Sequence, residues 1–344
     1  MTTPRALPLG VCALGRAIDA HGMPLDGGVP PRGRRVALEL RLPQPNEREP
    51  IAHPLWTGIR AIDGVLTIGR GARLGVFGAP GVGKTTLLES MARGCDADAI
   101  VVALVGERGR EARRWIERLD DRTTMICATS DRHARERVLA ANVAFAHAAA
   151  LRERGLHVLL VLDSLARVAA AIREIGLAAG ESSGRGGYPP RVFAELARLV
   201  EVAGALSRGA ITLIATVIQD GDERDPVSEA ARALLDGHVT LSVKLAQAGR
   251  FPAVDVLAST SRTMDAVVDE PHLRAARTVR RAMTALERIE DTRAVGIEPN
   301  DPWARRAMAA EDRIEAFFRQ NGCISHRIET RDALIDLAGR LENA

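Results

Sequence analysis

A glycine-rich turn at residues 78–85, GAPGVGKT, constrains the fold of this chain more than any other feature. It follows an apolar segment typical of a strand and precedes TTLLESMARG, a segment typical of a helix. The turn satisfies the spacing G-x-x-x-x-G-K-[ST], in which backbone N–H groups wrap a phosphate and the helix N-terminus adds partial positive charge. A strand, a phosphate loop and a helix in this order predict a nucleotide-binding α/β fold.

The lysine of this turn is informative because lysine is nearly absent from the chain. Among 47 basic residues only Lys84 and Lys244 are lysine. An ammonium group suits the β- and γ-phosphates better than a planar guanidinium does. The alternative, a plain turn with a surface lysine, requires that lysine reached the motif position by accident. We therefore predict ATP and Mg²⁺ as cofactors, with Thr85 as a metal ligand. The predicted nucleotide-binding residues of the loop are Gly78, Ala79, Pro80, Gly81, Val82, Gly83, Lys84, Thr85 and Thr86.

Short apolar runs alternate with helical stretches along most of the chain. This pattern favours a mostly parallel sheet covered by helices on both faces. The predicted strands are 35–42, 72–77, 99–105, 124–128, 157–162, 211–217, 238–243 and 253–257; the predicted helices include 131–154, 191–207, 227–235, 270–290, 302–320 and 330–341.

Composition changes along the chain predict three regions. Residues 1–54 are rich in proline and glycine and are interpreted as a linker or as the remnant of an N-terminal region. Residues 55–265 hold the alternating strands and helices of an α/β core. Residues 266–344 read as a C-terminal helical domain.

Charge and cysteine content argue against several classes of protein. The 47 basic residues are balanced by 44 acidic ones, for a net charge of +3, so no nucleic-acid partner is expected. The four cysteines are scattered, which predicts free thiols in a reducing compartment and no metal site. No apolar run is long enough to span a bilayer, and we predict a cytoplasmic protein.

Two carboxylates follow predicted strands at the edge where ligands gather in open α/β sheets. Asp163 ends the run HVLLVLDS and is placed to hold the Mg²⁺ shell; its alternative role is to cap the next helix. Glu107, in GERGRE, is placed to polarise the attacking water, with Arg108 near the phosphates. The alternative for GERGRE is an ordinary charged helix start.

Six motifs in order resemble the type III secretion ATPases, the hexameric motors of injectisomes and, in close relatives, of flagellar export. These ATPases are related to the catalytic β subunits of rotary ATP synthases. The resemblance runs from about residue 10 to about residue 320. The motifs are GVFGAPGVGKTTLL, VALVGERGREARRWIE, LLVLDSLARVAAAIREIGLAAGE, GGYPPRVFAELARLVE, DGHVTLSVKLAQAGRFPAVDVLASTSRTM and AVGIEPNDP.

The resemblance implies a RecA-like fold and a role for each site residue. Glu107 matches the glutamate that activates water, with Arg108 beside it, and Arg167 matches an arginine that senses the γ-phosphate. Phe251 matches the aromatic residue that stacks on adenine, and Arg262 matches the arginine finger that reaches into a neighbouring subunit. From the residues alone, the alternatives are that Phe251 is core packing and that Arg262 is a salt-bridged surface residue.

The resemblance also implies partners and a location. It implies a homohexamer, with stalk, regulator and chaperone–effector partners, held at the cytoplasmic face of the inner-membrane export apparatus. Family members carry an N-terminal β-barrel that supports ring assembly, and LGRAIDAHGMPLDG, residues 14–27 of this chain, matches the exit of that barrel, so most of the barrel is expected to be missing. We therefore expect intact catalytic residues and leave ring formation open.

Three other functions remain open at this point. A flagellar export ATPase fits the same motifs. A nucleotide-binding structural subunit without turnover is disfavoured because Glu107 and Arg262 are both present. A Rho-like nucleic-acid translocase shares the core, but the small net charge and the 3% aromatic content do not suit base stacking.

Overall fold

The computed structural model describes residues 4–219, 225–294 and 299–343. They form two compact units, each built from separate segments. The first unit comprises residues up to 51, 70–80 and 97–238, and the second comprises residues 52–69, 81–96 and 239 onward. The three regions predicted from composition remain a prediction. None of the described helices is both long enough and apolar enough to cross a bilayer.

Strands and α-helices alternate through the middle of the described chain. The strands are β1 Ala6–Pro8, β2 Ala17–Asp19, β3 Arg35–Ala37, β4 Pro54–Leu55, β5 Ile68–Gly69, β6 Arg73–Gly78, β7 Ala99–Val105, β8 Thr123–Ala128, β9 His157–Asp163, β10 Gly204–Leu206, β11 Gly209–Ile218, β12 Gly237–Leu241 and β13 Val254–Ser261. The helices are α1 Arg60–Val65, α2 Lys84–Gly94, α3 Gly109–Ile116, α4 Ala134–Arg152, α5 Leu165–Ala178, α6 Pro190–Glu201, α7 Pro226–Leu234, α8 Val243–Gln247, α9 Met264–Val267, α10 Glu270–Ala294, α11 Pro302–Ala309, α12 Glu311–Phe318 and α13 Arg327–Asn343.

A parallel sheet forms the centre of the first unit, as the sequence predicts. Its strands are ordered β6-β11-β9-β7-β8-β2, and each adjacent pair is parallel. Strands β7, β8 and β9 are buried along their whole length, which explains why their sequences do not alternate between apolar and polar residues. Because all six strands run the same way, their carboxyl ends lie along one edge of the sheet.

Three predicted elements differ from the structure. The predicted helix 191–207 ends at Glu201, because Gly204 adopts φ +143° and residues 204–206 pair antiparallel with β11. The predicted helix 302–320 is two helices separated at Ala310, whose φ of −103° and ψ of 2° are not helical. The predicted strand 35–42 has only three residues, matching the length of its partner β1.

Alanines on α4 bring this helix close to the sheet. Ala140, Ala141, Ala144 and Ala148 are all fully buried, and α4 contacts strands β7, β8, β9 and β11. Because these side chains are small, the backbone of α4 packs close to the strands. This packing accounts for a core that is rich in alanine and contains few aromatic residues.

In the second unit, helices surround the short helix α1. Helices α10, α12 and α13 all contact α1, and α10 also packs along α11 and α13. The buried side chains include Ile62 of α1, Phe318 of α12 and Leu334 of α13. Asp301 caps α11 through a hydrogen bond from the Trp303 N–H, and the helix starts at Pro302, which confirms the predicted start at residue 302.

Replacing Ala144 with leucine tests the close packing of α4. Ala144→Leu is expected to lower the free energy of unfolding by about 1–3 kcal/mol, because the added carbons have no space. Ala150→Leu is the matched control: Ala150 is half-buried and lines a cavity of about 990 Å³. Urea denaturation of both variants measures the difference. Equal stability of the two variants would contradict the packing argument.

Candidate nucleotide site

The phosphate loop joins the end of β6 to the start of α2. Strand β6 ends at Gly78 and α2 begins at Lys84, so the predicted strand, loop and helix are all present. Gly81 and Gly83 have φ of +79° and +102°. A Cβ at either position would meet no atom within 4 Å, so glycine is needed for backbone conformation, not for space. Gly83 is the N-cap of α2, which places Lys84, Thr85 and Thr86 in its first turn.

In the first unit, two predicted carboxylates lie at the carboxyl edge of the sheet. Asp163 is the last residue of β9 and pairs in register with Leu104 of β7. Glu107 follows β7 by two residues. Both residues are buried, at 7% exposure for Glu107 and 5% for Asp163. Thr216 of β11 donates a hydrogen bond of 2.5 Å from its Oγ1 to Asp163 Oδ1.

Arg167 forms a forked ion pair with Glu107. Its Nε lies 2.7 Å from Glu107 Oε1, and its Nη2 donates to Oε2 at 3.3 Å. Gly106 permits this approach, because a Cβ at that position would lie 2.9 Å from Arg167 Cδ. Gly106 also has a φ of +73°. The structure thus brings together Glu107, Asp163 and Arg167, and adds Gly106, which sequence reasoning missed.

The pKa of Glu107 is raised to about 7. Burial is the largest cause, since it penalises the charged carboxylate, and the negative charge of Asp163 acts in the same direction. The guanidinium of Arg167 lowers the pKa but does not cancel these two effects. A carboxyl group that titrates near neutral pH is suited to general base chemistry.

The two structural alternatives have different outcomes. Ser164, not Asp163, caps α5, since its Oγ accepts a hydrogen bond of 3.3 Å from the Arg167 N–H, so the capping alternative for Asp163 is wrong. The segment GERGRE does contain a charged helix start, because Arg108 is the N-cap residue of α3 and Glu111 lies in its first turn. Glu107 itself lies outside that helix, buried against Arg167.

The second unit contains a small cavity next to Phe251. The cavity has a volume of about 150 Å³. Whole small-molecule sites occupy roughly 300–1,000 Å³, so this cavity suits one part of a ligand, such as a base. Phe251 is 46% exposed, which excludes the alternative that it is core packing. The lining residues are Ile59, Val82, Gly83, Thr86, Leu87, Ser90, Leu241, Phe251, Pro252, Ala253, Gln320, Gly322 and Cys323.

Gln320 supports this cavity, and no sequence motif pointed to it. Its backbone N–H donates to the Phe251 carbonyl at 2.7 Å. Its side-chain oxygen accepts from the Arg60 N–H at 2.6 Å, and its Nε2 donates to the carbonyls of Gly58 and Cys323. This buried amide therefore holds Phe251 and the segment after α12 against the loop that precedes α1.

Two predicted arginines are exposed. Arg108 follows Glu107, and Arg262 follows the last residue of β13. Within residues 4–219, 225–294 and 299–343, neither forms an ion pair. The alternative that Arg262 belongs to a surface salt bridge therefore finds no support in the described chain.

Comparisons with known proteins agree with this geometry. The match to the ATP synthase alpha/beta family, nucleotide-binding domain, covers residues 58–261. The chain is 45% identical over 326 residues to the type 3 secretion system ATPase of Xanthomonas euvesicatoria, covering 92% of this chain and 74% of that protein. It is 43% identical over 341 residues to the flagellum-specific ATP synthase of Salmonella typhimurium, covering 96% and 74%.

Solved structures show the same fold. The assembled ATPase EscN from the type III secretion system of enteropathogenic E. coli superposes with a TM-score of 0.94 at 38% identity, covering 98% of this chain and 84% of that one. The structure of EscN in complex with its central stalk EscO gives 0.91 at 38% identity, covering 97% and 83%. The matched domain takes in more than half of the chain, from α1 to the end of β13. The chain therefore belongs to the ATP synthase alpha/beta family.

Proposed function

We propose that this chain hydrolyses ATP to drive protein export by a type III secretion system. The observation that carries the proposal is the buried Glu107, ion-paired with the half-buried Arg167 beside Asp163, at the carboxyl edge of a parallel sheet. Membership of the ATP synthase alpha/beta family supports nucleotide binding, and the similarity to type 3 secretion ATPases supports a role in protein export. The reaction is hydrolysis of the bond between the β- and γ-phosphates.

The phosphate loop binds and orients the nucleotide in this proposal. The first turn of α2 presents its N–H groups, and Lys84 supplies an ammonium charge for the β- and γ-phosphates. Arg108 lies close to the phosphates, and the base enters the cavity at Phe251.

Asp163 and Thr85 would hold Mg²⁺. The donor set suits this ion, since Mg²⁺ prefers oxygen ligands and keeps several waters when proteins bind it. Asp163 is 5% exposed and accepts a hydrogen bond from Thr216, so its carboxylate is held in one orientation. When bound, Mg²⁺ neutralises charge that develops on the phosphate oxygens.

Glu107 acts on the attacking water. As a carboxylate it accepts a proton from the water and orients the oxygen toward the γ-phosphate. Arg167 is ion-paired with Glu107. We propose that Arg167 turns to the γ-phosphate when ATP binds, which frees Glu107 for the water.

Arg262 acts in a neighbouring subunit in this proposal. Its exposure, and the absence of an ion pair within the described chain, fit a side chain that completes a site elsewhere. An arginine finger contributes roughly 10³–10⁵ in rate, or about 4–7 kcal/mol. A homohexamer is the expected assembly, with a stalk, a regulator and chaperone–effector complexes as partners and no nucleic acid. It would work at the cytoplasmic face of the inner-membrane export apparatus.

Flagellar export is the second candidate process. The flagellum-specific relative matches at nearly the same identity as the type 3 secretion relative and over more of this chain. Expression in a strain that lacks its flagellar export ATPase would separate the two. Restored motility favours flagellar export, whereas effector secretion restored only in an injectisome mutant favours the proposal.

The pH dependence of ATP hydrolysis tests the role of Glu107. A base must be ionised, and the pKa of Glu107 is about 7. The kcat/KM is therefore expected to rise about tenfold per pH unit below pH 7 and to level off above it. Glu107→Gln should lower kcat by about 10²–10⁴ and remove this slope. Steady-state rates from pH 5.5 to 9 measure both effects.

Binding of a fluorescent ATP analogue by Glu107→Gln is the control. Unchanged affinity would show that the fold and the phosphate loop are intact. A variant that hydrolyses ATP at the parent rate, with the parent's pH profile, would contradict the assignment.

Replacing Phe251 tests the base cavity. Phe251→Ala should weaken ATP binding by about 1–3 kcal/mol, because stacking of an aromatic ring on a base contributes that much. Since Phe251 is largely exposed, stability should change little. Phe251→Tyr keeps the ring and should bind ATP as the parent does. Titration with a fluorescent ATP analogue measures the affinities, and equal values for the alanine variant and the parent would contradict stacking.

Mixing two inactive variants tests whether Arg262 acts between subunits. Arg262→Ala lacks the finger and Glu107→Gln lacks the base, so each alone should be nearly inactive. A mixture contains interfaces in which one subunit supplies Glu107 and its neighbour supplies Arg262. The ATPase rate of the mixture should therefore exceed that of either variant at the same total concentration. No recovery, with a parent rate per subunit that is independent of concentration, would contradict a shared site.

A further inference from the structure

A hydroxyl group lies against the carboxylate of Asp163, and no sequence motif assigned it a role. Thr216 Oγ1 donates to Asp163 Oδ1 at 2.5 Å. Thr216 is fully buried and Asp163 is 5% exposed, so little water competes for this hydrogen bond. A hydrogen bond to a charged group contributes more than one between neutral groups.

The position of Thr216 in the sheet places it beside the phosphate chemistry. Strand β11 lies between β6, which leads into the phosphate loop, and β9, which ends at Asp163. Thr216 pairs in register with Val76 of β6 and lies two residues before the end of β11. It therefore shares the carboxyl edge with Asp163.

Packing alone does not explain why residue 216 carries a hydroxyl group. The segment from Leu213 to Val217 is otherwise entirely apolar and fully buried. Valine has nearly the same shape as threonine and would fill the same space without a polar group. A buried hydroxyl is costly unless it is hydrogen-bonded, and the described chain supplies Asp163 as its acceptor.

We propose that Thr216 is a positioning residue that orients Asp163 for the Mg²⁺ shell. The inference rests on the proposed function, which gives Asp163 its metal role. A neutral donor fixes one carboxylate oxygen in place without cancelling the charge of the carboxylate. Partners of this kind orient metal-binding groups, and their loss typically costs 10–100-fold in metal affinity.

The competing explanation is that Asp163 merely satisfies a buried hydroxyl. In that case loss of the hydroxyl changes stability but leaves metal binding unchanged. Thr212 provides the matched control, because it lies on the same strand, is fully buried, and is also hydrogen-bonded through its Oγ1. Its partners are the Gly71 N–H and His157 Nε2, away from Asp163.

The test is a Mg²⁺ titration of the intact chain with a fluorescent ADP, whose signal does not depend on turnover. The variants are Thr216→Val, Thr216→Ala and Thr216→Ser, with Thr212→Val as control. The valine and alanine variants should raise the Mg²⁺ concentration at half-maximal signal by about 10–100-fold. Thr216→Ser keeps the hydroxyl and should stay near the parent value, and so should Thr212→Val. If Thr216→Val fails to fold, the Mg²⁺ response of Thr216→Ala tests the inference instead.

Three outcomes have distinct meanings. A shift confined to the variants without a hydroxyl at position 216 supports the inference. A lowered Tm for both valine variants, with an unchanged Mg²⁺ response, overturns it and leaves the proposed function intact. A parent chain that binds ADP without any response to Mg²⁺ overturns the metal role of Asp163, and the inference with it.

Discussion

The parallel pairing of β7, β9 and β11 is the constraint on which the candidate site depends. Because these neighbouring strands run in one direction, the polar residues near or just after their carboxyl ends lie at the same edge. Glu107, Asp163 and Thr216 come from segments far apart in the chain, and only the register of the sheet brings them together. A shift of one residue in any strand would turn a buried polar group to the opposite face.

Burial and charge oppose each other at this edge. Burial and the negative charge of Asp163 both raise the pKa of Glu107, and Arg167 offsets only part of this rise. Water would screen these charges and weaken the repulsion between them, but the surrounding strands and helices exclude water from this edge. The same exclusion keeps the pKa of Glu107 near neutrality. The packing that buries Glu107 therefore also sets the pH range in which its carboxyl group gains or loses a proton.

The sequence predicts those parts of the structure that have a repeated or spaced pattern. The phosphate loop, the apolar strands and Asp163 at the end of β9 all follow from such patterns. The early end of α6 was missed, since it depends on the conformation of Gly204 and on a hairpin with β11. Thr216 and Gln320 were missed for a related reason. Each is a single polar residue whose partners are distant in sequence, so no local pattern distinguishes it.

The hydrogen bonds of Gln320 change how deletions at the end of the chain should be interpreted. Its amide joins the loop before α1 to the segment that follows α12, and its N–H holds the carbonyl of Phe251. Gly322 and Cys323 form part of the cavity wall. A chain shortened before Gln320 therefore loses a wall of the cavity next to Phe251 together with helix α13. If such a truncated chain binds nucleotide more weakly, the damaged cavity explains the loss, and a separate binding role for helix α13 does not follow from it.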